Sequence, residues 1–170
     1  MRKRNVLMVW VAVTIIGLTL PVRADVRLHG LFTDNMVLQR DIKAPVWGWA
    51  EPGEAVTVKF NGQTVRTTAE DGRWEVFLYP MKAGGPYEMT VSGNNEIVLR
   101  NILVGDVWVC GGQSNMDFSM AAYTDRTKNR PEAVVEQYER MIADTSQRNV
   151  RLMLVDKVSI AQPQENIRIV

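Results

Sequence analysis

Residues 105–117 read GDVWVCGGQSNMD: a short apolar run stops at two glycines, and Ser114 follows between Gln113 and Asn115. A serine performs acyl transfer when its hydroxyl is exposed, a base accepts its proton and hydrogen-bond donors meet the developing oxyanion. Gly111 and Gly112 allow the backbone to turn sharply after a strand. Ser114 would then sit near the start of a helix, where free N–H groups and the helix dipole favour negative charge. The same spacing also suits a helix-capping serine, and the spacing by itself leaves both readings open. Residues 112–116, GQSNM, carry Met116 where the G-x-S-x-G nucleophile elbow has its second glycine, which counts against the common α/β-hydrolase arrangement.

The remaining chemistry-bearing residues are sparse. The single histidine, His29, lies in the opening strand region and reads as a satisfied structural or surface residue rather than a base. Asp117 is close in sequence to Ser114, but a carboxylate seldom replaces a histidine base at neutral pH. No Cys/His cluster offers a metal site, and no cofactor is expected. Cys110, the single cysteine, excludes an internal disulfide and, within an apolar strand pattern, is expected to be buried and inert. Met81, Met89 and Met116 are scattered and read as packing residues.

The elements that would position Ser114 fall into three parts. Residues 1–24 read as an export signal: basic MRKRN, an apolar Val6–Leu20, then Val22 and Ala24 at the −3 and −1 positions of a cleavage site. The alternative is an uncleaved N-terminal anchor, although fifteen apolar residues fall short of the roughly twenty of a membrane span. No stable membrane anchor is therefore expected after cleavage, and the protein is expected in the periplasm or outside the cell. Of 20 basic residues, Arg2, Lys3, Arg4 and Arg23 lie in this leader, which leaves 16 against 19 acidic ones. A charge near −3 carries no footprint for nucleic acid.

Residues 25–101 read as a β-sandwich. In AVTVKF, Val56, Val58 and Phe60 alternate with polar residues, and Asn61-Gly62 follows as a two-residue hairpin turn. Asp71-Gly72 repeats the device before RWEVFL, where Trp74, Val76 and Leu78 share a face, and YEMTVS aligns Tyr87, Met89 and Val91. Short strands with turns at such spacing predict a sandwich or barrel. Trp47 and Trp49, two apart, share one strand face; together with Trp74 they raise the alternative of a non-catalytic carbohydrate-binding module, although such a face is more often core.

Residues 102–170 change character. NILVGDVWVC is nearly continuous in apolar residues, as for a strand covered on both faces by helices. PEAVVEQYERMIADTS places Val134, Tyr138, Met141, Ile142 and Thr145 on one helical stripe with Pro131 in the first turn, and NVRLMLVD (149–156) reads as another strand. Strand, turn, helix and strand begin a parallel α/β sheet. Two strands and one helix leave most of their apolar surface uncovered, so the sequence is expected to be the N-terminal portion of a longer domain.

GQSNM after VGDVWVC resembles the nucleophile block of the sialate O-acetylesterase family, a branch of the SGNH (GDSL-like) hydrolases. LFTDNMVLQR (31–40), PVWGWAEPGE (45–54), DGRW (71–74) and AGGPYEMTV (83–91) agree with that family in order, so the resemblance covers residues 26–160. Gly111 stands where many relatives have serine. The resemblance implies an exported carbohydrate esterase that removes O-acetyl groups from sialic acid or related sugars, with a flavodoxin-like SGNH sheet after the sandwich. It implies Ser114 as the nucleophile and its own backbone N–H as one oxyanion donor. The family's further donors, a glycine and an asparagine, and its histidine base with a preceding aspartate have no counterpart within 170 residues. An acetylated sugar is the expected partner, and the chain by itself is expected to be inactive or nearly so.

Overall fold

The computed structural model describes residues 25–112, 116, 131–144, 149–156, 161–167 and 169. Eight strands occupy the first part: β1 Arg27–Leu28, β2 Val37–Gln39, β3 Ala44–Trp49, β4 Ala55–Phe60, β5 Gln63–Thr68, β6 Arg73–Leu78, β7 Gly84–Ser92 and β8 Glu96–Gly105. They form a three-stranded sheet in the order β1-β3-β6 and a five-stranded sheet in the order β2-β8-β7-β4-β5. All neighbours are antiparallel except β2, which runs parallel to β8 at the sheet edge.

The alternation read from the sequence decides which residues face inward. Val56, Val58 and Phe60 of β4, Trp74, Val76 and Leu78 of β6, and Met89 and Val91 of β7 are buried, while their alternating neighbours are exposed or half-buried. The inward faces of both sheets meet in one core, to which β3 adds Val46 and β8 adds Ile102 and Val104. Burying each such side chain contributes about 1.5–3 kcal/mol, which is why this period holds the unit together. At the far edge β5 alternates half-buried and exposed residues and carries Gln63, Thr64, Arg66, Thr67 and Thr68, a polar strand unsuited to recruiting another sheet.

Two turns with the same local chemistry do different work. Asn61 and Gly62 have φ of 44° and 76° and close the β4–β5 hairpin. Asp71 and Gly72 have φ of 48° and 80° and close a two-residue bridge from Glu70 to Arg73. The strands on either side of that second turn, β5 and β6, belong to different sheets. The expected hairpin is therefore a crossover that carries the chain over the core.

The expected strand over 101–110 divides. Residues 102–105 complete β8 inside the five-stranded sheet, so the boundary expected at residue 101 falls within a strand. Val107, Trp108 and Val109 are 47%, 85% and 95% exposed and form no strand. An apolar run becomes a buried strand only where other elements cover it, and no described element covers this one. The same correction applies to 149–156, where Leu152 is 95% exposed and the pairing is an isolated bridge, Val155 to Ile169.

The expected helix is present as α1, Glu132–Ala143. Pro131 precedes its first turn, and its carbonyl accepts the N–H groups of Val134 and Val135. The stripe residues Val134, Tyr138 and Ile142 are half-buried, Met141 is half-exposed and Thr145 lies outside the described residues. Glu136 and Arg140 pair at 3.4 Å along the exposed side. The leader 1–24 also lies outside the described residues.

Candidate functional site

Ser114, with Gln113, Asn115 and Asp117, lies outside the described residues; both flanks, through Gly112 and at Met116, are described. The chain reaches that turn from β8. Beyond Gly105, Arg40 Nε donates to Asp106 Oδ1 at 2.8 Å and the Val107 N–H donates to Gln39 Oε1 at 2.8 Å. Asp41 continues the charged group, accepting from Lys82 Nζ at 2.7 Å. The hydrogen bond from Lys82 holds the Asp41 carboxyl below its ordinary range, and Asp106 raises the already high pKa of Arg40. These are exposed pairs, so their worth lies in direction rather than in stability.

A side chain built at Gly112 would meet Met116 Cγ at 2.5 Å. Met116, which stands where an elbow has its second glycine, thus lies against Gly112, and a side chain at 112 would require the methionine to shift. Gly111 faces open space. Cys110 is exposed, against the expectation of a buried thiol, because no described element covers the run that contains it.

His29 is 8% exposed and sits between two tryptophan rings, 5.3 Å from Trp47 and 5.9 Å from Trp49. Its Nδ1 accepts the Leu31 N–H at 3.2 Å, which leaves the proton of the neutral ring on Nε2. Burial lowers its pKa below the ordinary imidazole value of 6.5, and the Glu165 backbone carbonyl acts weakly in the opposite direction. A neutral, stacked and hydrogen-bonded imidazole is structural, as its position in the sequence suggests.

Trp74 is core and donates from Nε1 to the Trp49 carbonyl at 3.2 Å. Trp47 and Trp49 project from the other face of β3 and are half-buried. Phe32 packs edge-on against Trp47 at 4.7 Å, and the Arg27 guanidinium lies 5.7 Å from the centre of the Trp49 ring. Residues 165–167 reach the same side of the sheet: Glu165 pairs with Arg73, and Asn166 Oδ1 accepts the Gly30 N–H at 2.7 Å. Protein groups thus occupy much of the aromatic face that could have served as a sugar platform. Among the described residues no group of three His, Cys, Asp or Glu side chains could hold a metal ion.

Sequence reasoning assigned no role to Gln39, Arg40 or Asp106. Their signal was available in LFTDNMVLQR and VGDVWVC, two motifs whose mutual contact only the folded sheet discloses.

No family model matches the chain. It is 32% identical over 130 residues to human sialate O-acetylesterase, an alignment covering 69% of this chain and 25% of the relative. To mouse sialate O-acetylesterase it is 36% identical over 126 residues, 66% of this chain and 23% of the relative. The crystal structure of a carbohydrate acetylesterase from Xanthomonas citri superposes with a TM-score of 0.55 at 45% identity, over 56% of this chain and 23% of that one. The chain spans about a quarter of the length of the curated relatives it matches. With 30–36% identity to sialate O-acetylesterases across about two thirds of its length, and a structural likeness to a carbohydrate acetylesterase, the chain belongs to the sialate O-acetylesterase family.

Proposed function

We propose that this protein is part of an exported serine esterase that removes acetyl groups from sugars, sialic acids among them. The observation that carries the reading is 30–36% identity to sialate O-acetylesterases together with 45% identity to a structurally similar carbohydrate acetylesterase. In this reading the two sheets are a β-sandwich domain, and the residues after it open an SGNH-type catalytic sheet. Residues 1–24 direct export and are removed.

The chemistry assigned to Ser114 is acyl transfer. Its Oγ attacks the acetyl carbonyl and passes its proton to a base; the sugar oxygen leaves with a proton, and water then releases acetate from the acyl-enzyme. The oxyanion is met by the Ser114 N–H and further donors. Structural His29 is the only histidine among the 170 residues, and the family resemblance assigns the base and the further donors to residues with no counterpart among them. Losing a base costs about 10²–10⁴-fold and each oxyanion donor about 10²–10³-fold, which brings the 170-residue chain close to background.

The test is acetate release from an acetylated chromogenic ester and from acetylated sialosides, by this chain and by a chain extended to the relatives' length. Turnover in the extended protein, abolished by Ser114→Ala, is the expected result. Undiminished turnover in that variant removes Ser114 from the mechanism, and robust Ser114-dependent turnover by the short chain shows that it holds its own base. The alternative is a non-catalytic sugar-binding module using what remains accessible of the half-buried Trp47 and Trp49. It requires the short chain to bind unacetylated sugar and to lose that binding with Trp49→Ala.

A further inference from the structure

The segment Asp34–Arg40 lies within LFTDNMVLQR, one of the stretches that carry the family resemblance. Its contacts follow one rule. Asp34 Oδ1 accepts the Arg100 N–H at 2.7 Å, and Asn35 Oδ1 accepts from Asn101 Nδ2 at 2.6 Å. The Met36 carbonyl accepts the Leu103 N–H at 3.0 Å. Val37, Leu38 and Gln39 of β2 pair in parallel with Leu103, Val104 and Gly105 of β8. Arg40 then reaches Asp106. The hydrogen bonds made by side chains at both ends of the ladder join residues 66 apart, the same separation as in the ladder itself. The in-register match therefore extends beyond the backbone ladder at both ends, and Gln39 adds a hold on the Val107 N–H past the end of β8.

We propose that residues 34–40 are a splint, and that Gln39 and Arg40 are positioning residues that set the direction in which the chain leaves β8 toward Ser114. The assignment rests on the esterase reading for its purpose but not for its geometry. A short edge strand needs no side-chain grip beyond its last backbone pair to complete a sheet. Here two side chains take hold of the two residues beyond that pair, seven to eight positions before the serine. The Val107–Val109 run that follows is exposed, so no described packing fixes its course in their place.

Cys110 is the only cysteine and is exposed, so it takes a nitroxide label without competition. With a second label at Lys59→Cys, on an exposed position of β4, electron–electron distance measurements report where residue 110 stands relative to the sheet. The Gln39→Ala, Arg40→Ala double variant is expected to broaden that distance distribution about twofold or more while the β-sheet signal and melting temperature stay near the parent, because a local restraint is removed and the core is untouched. Gln39→Glu and Arg40→Lys, which keep an acceptor and a cation, are expected to retain the narrow distribution. Gln63→Ala, which removes two comparable hydrogen bonds to Tyr79 elsewhere in the unit, is expected to leave it unchanged. An unaltered distribution in the folded double variant, or equal broadening in Gln63→Ala, overturns the splint. A failure of Ser114 in acetate release would instead overturn the esterase reading and leave the distance result standing.

Discussion

Residues 26–105 and the residues after them are similarly rich in Val, Leu, Ile and Met, yet they meet opposite fates. Val56, Val58 and Leu78 are wholly buried, while Val109 and Leu152 are 95% exposed. In the first region the inward faces of two sheets oppose each other and enclose one core. In the second, α1 has no buried residue, and the segments expected to be strands have no covering layer among the described residues. Hydrophobicity therefore measures a demand for burial, and only a partner surface satisfies it.

The sharpest way to break this contrast is a pair of truncations. Phe60→Ala should destabilise the protein by about 3–5 kcal/mol, since it empties a fully buried site. Leu152→Ala should change stability by no more than about 0.5 kcal/mol, because its side chain is already in water. Urea unfolding of both variants checks the comparison; equal losses would mean that the second region is covered after all.

A smaller loss is expected where two backbones touch. Gly48 lies against the Arg27 carbonyl across the β1–β3 pair, and a methyl group there would collide with it. Gly48→Ala should cost about 1–3 kcal/mol, read by the same unfolding curves. Gly111→Ala should cost far less, because nothing lies within 4 Å of the added atom.

The turns come next. Gly62→Ala places a side chain at φ 76°, where the added methyl meets no neighbour within 4 Å. Backbone strain by itself should then cost about 1–2 kcal/mol. Thermal melting tests it, and no shift would show that the hairpin relaxes freely.

The smallest effect concerns acidity. Burial depresses the His29 pKa below 6.5, so the unfolded chain binds this proton more readily than the folded one. The contribution of neutral His29 is present above about pH 6.5 and is lost as pH falls toward and through its lowered folded value. The stability of the parent should therefore fall more steeply on acidification than that of His29→Gln. Parallel slopes would place His29 in water, outside the stack of Trp47 and Trp49.

These comparisons separate what local pattern encodes from what it leaves open. The strands β4 and β6 and the YEMTVS part of β7, with their inward residues, and both Asx-Gly turns were legible, because side-chain alternation and positive φ are properties of a few neighbouring residues. Helix α1 was legible for the same reason, through its 3.6-residue stripe. The structural role of His29 could also be read, though not its place between two tryptophans that are close to each other only because β3 is extended. The GGQSNM block was legible as the place of a candidate nucleophile, while Ser114 itself lies outside the described residues.

Tertiary structure alone decided the partners. Asn61-Gly62 and Asp71-Gly72 share chemistry and backbone geometry, yet one closes a hairpin and the other moves the chain between sheets, since a turn specifies a reversal and not the strand met afterwards. Nothing local marks Val37–Gln39 as the parallel neighbour of residues 103–105, which lie 66 positions along the chain. Nor does an unbroken apolar run reveal that Ile102 and Val104 are core while Val107 and Val109 are not. Period and turn propensity are written in consecutive residues; burial and pairing depend on which distant surface arrives, and that is settled only when the sheets close around their shared core.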